Sequence, residues 1–326
     1  MGFSMVWVID LLIYLVYKAA GLRPHTVALD DDTTVHCWIS SSLLPPSSAI
    51  RSKEKKATPL LLLIHGFGPR GTWQWSRQIW HLAARFDLVV PDVLFFGGST
   101  TRSPIRSEAF QAAAIARLLS VLGVGPPHRA RVSVAGTSYG GFVAYHVARA
   151  LGPEWVERVV IASSDVLKGP DDDRALLERA GGARSIDELL LPRTTADLRR
   201  LARLAVYRPP LFVPEFILRD MLQNLFSDNL EEKLELIKGV TVANKDEFHL
   251  TPLPQQVLII WEEHDQIFPV AKAIELQKRL GENARLEVLQ NTGHLPQMED
   301  ANRFNKLLFS FLLGASQPSL SNRVRD

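Results

Sequence analysis

One cysteine, Cys37, stands among 326 residues, so no internal disulfide can form. That usage fits a reducing compartment such as the cytoplasm. No Cys/His pair has ligand spacing, and His65, His249 and His294 are scattered, so neither a metal site nor a cofactor motif is read. Neither sign of charge dominates: 37 Lys and Arg stand against 35 Asp and Glu. With no basic stripe carrying interleaved aromatics, nucleic acid is not an expected partner. Residues 5–17 are apolar except for Asp10 and are followed by Lys18. This run is shorter than the ~20 residues of a spanning helix, and it lacks the positive n-region of a secretory signal. Residues 1–20 are therefore expected to form an apolar helix packed on the body. The alternative is peripheral membrane association through residues 5–17, because Trp7, Tyr14 and Tyr17 suit a headgroup boundary.

The chain does have enough apolar material, 46% hydrophobic residues, for one large α/β domain or a domain with an insertion. Short apolar runs recur at 60–64, 88–90, 132–135, 159–162, 257–261 and 285–289. Most lack polar alternation, as strands buried on both faces do. Helical patterns at 72–84, 107–122, 140–151 and 270–280 separate most of them, which implies a mostly parallel sheet with helices on both faces. Ahead of this, 26–29 and 33–39 flank three aspartates and read as a hairpin. The Ser- and Pro-rich stretch 40–58 reads as an exposed loop. From 166 to 254 the rhythm stops and the chain is helical. Ser185 with Glu188 and Asp228 with Glu231 form capping patterns, and Pro214 suits a first helical turn. The expected organisation is an α/β core of residues 21–165 and 255–326 with a helical cap, 166–254, inserted between strands.

Gly136-Thr137-Ser138-Tyr139-Gly140 follows the run 132–135 and opens the next helix. This is the G-x-S-x-G elbow in its strand–turn–helix context. A tight turn strains the serine, glycines on either side avoid clashes, and the helix N-terminus sets partial positive charge beneath the nucleophile. After the run 60–64, His65-Gly66-Phe67-Gly68 offers a main-chain N–H, that of Phe67, to pair with the Tyr139 N–H as an oxyanion hole. His65 itself precedes the nucleophile and is read as holding its loop. The base and its orienting acid should follow the serine in the order acid, histidine. Asp265 lies just after 257–261 and His294 just after 285–289, so both reach the sheet edge where Ser138 emerges. His294 would move the serine proton, and Asp265 would fix its tautomer. Asp165 is the rival acid, Asp92 is expected to brace a loop, and Glu262, Glu263 and His264 are read as solvated loop residues.

In this order, His65–Gly68, Asp92 with Gly97-Gly98-Ser99, Gly136–Gly141, Asp265 and Asn291–His294 resemble the single-cap branch of the α/β-hydrolase superfamily. The resemblance covers about residues 35–313. It looks closest to plant monoacylglycerol-lipase-like serine hydrolases. The stretch 65–69 with Trp73 is also similar to bacterial carbon–carbon bond hydrolases of aromatic ring cleavage. Val93-Leu94-Phe95-Phe96 departs from relatives that carry proline before the glycines. A serine at 138 rather than an aspartate implies ester, thioester or activated carbon–carbon substrates through an acyl-enzyme. The expected activity is cleavage of a small to medium apolar acyl ester, monoacylglycerol among them. The alternatives are a slow-turnover ligand receptor on this scaffold and a carbon–carbon bond hydrolase or lyase, for which Lys168 is a candidate cation. Phe212, Phe216, Phe226 and Met221 are available to line an apolar pocket. The sequence sets no oligomeric state.

Overall fold

The run Leu60–Ile64 is buried along its whole length, and alternate residues pack into opposite cores: Leu60, Leu62 and Ile64 on one face, Leu61 and Leu63 on the other. Period-two side chains with no polar member can only be satisfied by a sheet covered on both sides. Each such leucine contributes on the order of 2 kcal/mol of burial. The structure, a computed structural model, describes residues 4–44, 58–68, 70–124, 131–240 and 250–314.

The elements run α1 (Met5–Ala19), β1 (Leu22–Ala28), β2 (Thr33–Ser40), β3 (Leu60–Ile64), α2 (Gly71–Ala83), β4 (Asp87–Pro91), β5 (Thr100–Thr101), α3 (Glu108–Val121), β6 (Val132–Thr137) and α4 (Tyr139–Trp155). After β7 (Val156–Ala162) come five helices: α5 (Pro170–Ala180), α6 (Ile186–Leu190), α7 (Thr195–Ala205), α8 (Glu215–Leu225) and α9 (Leu230–Val240). Then follow β8 (Gln256–Glu262), α10 (Ala271–Leu280), β9 (Ala284–Leu289), α11 (Pro296–Glu299) and α12 (Ala301–Leu312).

The sheet order is β1-β2-β4-β3-β6-β7-β8-β9, with β5 paired to β2. β1, β4 and β5 run antiparallel to β2, and every pair from β4 through β9 is parallel. One core holds Ile115 and Leu118 of α3, Val143 and Val147 of α4 and Leu276 of α10 against the sheet. The other holds Tyr17 of α1, Trp75 and Ile79 of α2, and Phe304 and Leu308 of α12. The parallel arrangement brings the loops after β3, β6, β8 and β9 to one edge.

Between β7 and β8 the described residues are helical, with no strand. Local chemistry sets the ends of these helices. Ser185 Oγ accepts the Glu188 N–H, but Glu188 reaches the Arg184 N–H rather than closing a box. Thr194 and Asp197 do form a reciprocal capping box. Pro214 is the N-cap of α8 rather than part of its first turn, because its ψ of 142° is extended. α9 begins at Leu230, after Asn229 at φ 50°, so Asp228 lies outside the cap position expected for it. Most of 40–58, along with 241–249, lies outside the described residues.

α1 packs on α2 and α8. Tyr17 is fully buried, and its hydroxyl donates to the Thr72 carbonyl at 3.1 Å, so it does not face a headgroup boundary as the alternative reading had it. At about 22 Å for its 15 residues, α1 falls short of a bilayer core. No helix among the described residues is long and apolar enough to cross a membrane.

Candidate active site

Ser138 sits between β6 and α4 at φ 51° and ψ −123°, a left-handed conformation that costs a non-glycine residue of order 1–3 kcal/mol. The turn is tight enough that a Cβ on Gly136 would lie 2.0 Å from the Gly140 carbonyl oxygen. The Ser138 N–H donates to the Ala162 carbonyl at 2.8 Å, which ties the strained residue to β7. Its hydroxyl therefore projects from the sheet edge at the head of α4.

His294 arrives from the loop after β9. Its Nδ1 lies 2.8 Å from Asp265 Oδ2, and its Nε2 lies 3.0 Å from Ser138 Oγ. A carboxylate at Nδ1 fixes the proton there, which leaves Nε2 free to accept from the serine hydroxyl. Asp265 is held in turn: its Oδ1 accepts the N–H groups of Ile267 and Phe268 at 2.8 and 2.9 Å. The Asp265 and His294 side chains are almost wholly shielded from solvent, at 0% and 6% exposure, so little competing water reaches their bond.

The other sequence candidates fall elsewhere. Asp165 does not reach His294; its Oδ1 accepts the Leu167 N–H and its Oδ2 lies 3.4 Å from Lys272 Nζ. Burial pushes the Asp165 carboxyl up to about 6, with Lys272 pulling the other way. Asp92 Oδ2 accepts from His36 Nδ1 and from the Gly98 N–H, bracing that loop. His65 Nδ1 donates to the Gly66 carbonyl, while Nε2 accepts the Val93 N–H at 3.0 Å. Burial holds its pKa below the usual histidine range, consistent with a neutral ring that does both. Glu262 corrects the sequence reading: it is not a solvated loop residue but the buried last residue of β8. Burial first, and the neighbouring Asp265 charge second, push its carboxyl well above the ordinary range.

The loop after β3 comes close beneath Ser138. A Cβ on Gly66 would stand 2.8 Å from Ser138 Cβ, so only glycine admits the approach. Gln74, one turn into α2, clamps this glycine from both sides: its Oε1 accepts the Gly66 N–H at 2.8 Å and its Nε2 donates to the Gly66 carbonyl at 3.2 Å. No sequence motif marks Gln74; its only signal is that it falls, with Gln78 one turn on, on the buried face of α2 beside Trp75, Ile79 and Leu82. Among the described residues, the main-chain N–H groups of Phe67 and Tyr139 have no hydrogen-bond acceptor. Both residues border the same cavity as Ser138 and His294.

That cavity holds about 330 Å³. Its floor is Ser138, His294 and the Phe67–Tyr139 pair, and its walls are mostly aliphatic side chains of α5 to α9, including Leu198, Ala202, Met221 and Leu225. Phe226 lines it too, but Phe212 and Phe216 do not: they are 77% and 65% exposed. They precede or begin α8 on its outer side, so of the four side chains available to a pocket only Phe226 and Met221 reach it. Two cations border the cavity and both are paired, Lys168 with Asp173 at 2.5 Å and Arg70 with Asp10 at 3.5 Å.

Behind Tyr139, Glu108 at the head of α3 is buried, and burial pushes its carboxyl from about 4.5 up to about 7, while its own main chain and Lys168 pull it down. A raised folded pKa means that the native state holds this proton more tightly. The associated stability is fully present below the unfolded pKa and is lost as pH rises through about 7. Glu108→Gln, which cannot ionise, is expected to match the wild type at pH 4 and exceed it by about 3 kcal/mol at pH 8. Urea unfolding at the two pH values measures this, and an equal gain at both would contradict it.

A mostly parallel, doubly covered sheet with these loops on one edge is an α/β-hydrolase fold. The family model described as the alpha/beta hydrolase family matches residues 61–307, and the chain belongs to that family. The 2-hydroxy-6-oxononadienedioate/2-hydroxy-6-oxononatrienedioate hydrolase of Burkholderia vietnamiensis is 28% identical over 264 residues, 77% of this chain and 86% of that one. The monoacylglycerol lipase ABHD6 of Homo sapiens is 25% identical over 259 residues, 78% of this chain and 75% of that one. Among solved structures, a bacterial membrane phospholipase A superposes with a TM-score of 0.71 at 22% identity, covering 95% of this chain and 91% of that one. That last likeness is one of fold.

Proposed function

We propose that this α/β hydrolase cleaves a carboxylic ester with a small to medium apolar acyl group, monoacylglycerol among the candidates, through an acyl-enzyme on Ser138. The observation that carries the reading is the continuous chain Ser138 Oγ, His294, Asp265 on the floor of an apolar cavity. His294 takes the serine proton as Oγ attacks the ester carbonyl, then returns it to the leaving alcohol; Asp265 holds the tautomer and stabilises the imidazolium. The Phe67 and Tyr139 N–H groups receive the negative charge that develops on the carbonyl oxygen. Water then repeats the sequence to release the acid. Residues 166–254 act as a cap that shuts out bulk water and shapes the acyl site, and the lone Cys37 fits a cytoplasmic setting.

Cleavage of a carbon–carbon bond is the second reading, supported by the 28% identity to the Burkholderia vietnamiensis hydrolase. A dianionic substrate of that kind calls for free cations, whereas Lys168 and Arg70 are already paired. A neutral ester fits the cavity better.

Narrowing the cavity tests the acyl site. Ala202→Phe adds a ring on the α7 wall and is expected to lower kcat/KM for long p-nitrophenyl esters by more than tenfold while sparing the acetate, since each excluded methylene is worth about 1–3 kcal/mol. A parallel fall for every chain length would show that the acyl group lies elsewhere.

A further inference from the structure

A helix lying on a protein surface ordinarily turns charged side chains toward water. α1 does not. Trp7, Leu11, Leu12, Tyr14, Leu15 and Val16 are all exposed, Trp7 to 65% and Leu12 to 57%. Trp7, Leu11 and Leu15 recur every fourth residue and form one stripe along the helix. The helix has two charges, Asp10 and Lys18. Asp10 is turned inward, bonded to Trp73 Nε1 at 2.7 Å and paired with Arg70.

A second exposed apolar cluster stands at the head of α8: Leu211, Phe212 and Phe216. The two clusters meet at one joint. Asp220 of α8 accepts the Val6 N–H at 2.9 Å, and Phe216 lies one turn before Asp220 on the same side of α8. The charge around this joint is positive. Residues 193–220 carry six arginines against three acids, Asp197, Glu215 and Asp220. Arg199, Arg200 and Arg219 pair with Glu215 or Asp197, whereas Arg193, Arg203 and Arg208 are in no ion pair among the described residues, and Lys18 and Arg23 follow the stripe at its other end. The same elements frame the cavity, because Arg70, Trp73, Met221 and Leu225 line it and the first two bond to α1.

We propose that α1 and residues 211–216 together form one face that docks on an anionic lipid surface beside the mouth of the cavity. α1 is too short to span and lies along the interface, with Trp7 and Tyr14 at headgroup depth and the arginines outside those ion pairs on lipid phosphates. A second copy of this chain fits less well, since a self-complementary interface would set this arginine-rich border against itself. The docking stands on the surface alone. Its purpose, delivery of a lipid ester from the layer to Ser138, rests on the ester-hydrolase reading.

The full chain is tested by co-sedimentation with phosphatidylcholine vesicles, with and without phosphatidylglycerol. The wild type is expected to sediment with the anionic vesicles and to be released by high salt. Leu11→Gln/Leu15→Gln and, separately, Phe212→Ser/Phe216→Ser are each expected to bind at least tenfold more weakly. Labelling of Ser138 by a soluble fluorophosphonate should stay unchanged in both, which shows that the variants are folded and separates this proposal from the ester reading. No vesicle binding by the wild type, undiminished binding by both variants, or a wild-type dimer that the Leu11→Gln/Leu15→Gln variant disperses would overturn the proposal.

Discussion

Ser138→Ala is expected to lower ester turnover by about 10⁴- to 10⁶-fold with the fold intact. On the mechanism proposed here no other group can carry the acyl intermediate. What remains is the contribution of the N–H pair and the cavity, which position the ester for attack by water. Loss on this scale is equivalent to roughly 5–8 kcal/mol of transition-state stabilisation. The substitution itself relieves nothing and breaks little, since the φ of 51° is set by the turn and the hydroxyl bonds outward to His294. Thermal unfolding should therefore change little. A folded variant that keeps near-normal turnover would remove Ser138 from the mechanism.

Asp265→Asn carries the second largest effect, a fall in kcat on the order of 10⁴. An amide at this position can present N–H to His294 Nδ1, which drives the ring proton to Nε2 and leaves nothing to accept from Ser138. The geometry should survive, because the two N–H groups of Ile267 and Phe268 that hold Oδ1 can still bond the amide oxygen. Asp165→Asn is the control and should leave kcat within a few-fold of wild type, since Asp165 contacts Leu167 and Lys272 rather than His294. Reversal of the two outcomes would move the orienting role to Asp165.

The sheet was legible because its strands are buried on both faces and so read as unbroken apolar runs. Their ends were not, because polar residues continue the pairing: β8 runs on through Glu262, and β4 begins at Asp87. Amphipathic α12 lies outside the expectations above, although Phe304, Leu308 and Leu312 recur at helical spacing. At the edge of the sheet, motif order was enough to single out Ser138, Asp265 and His294, because strand–loop position dictates where a side chain can emerge. Gln74 was not legible: its role depends on how α2 folds back over Gly66, and nothing local encodes that. The outward turn of Phe212 and Phe216 was equally hidden. An apolar count says how much greasy surface a helical segment has, while its direction depends on packing against α1 and α7.

The central claim, a covalent acyl-enzyme on one serine, is tested most directly by mapping the adduct. The full-length protein is labelled with a fluorophosphonate, digested, and the modified peptide sequenced by mass spectrometry. The account predicts one adduct, on Ser138, that is lost when an apolar ester competes for the site. An adduct on Ser163 or Ser164, the neighbouring hydroxyls at the end of β7, or no adduct on a folded protein, would contradict it.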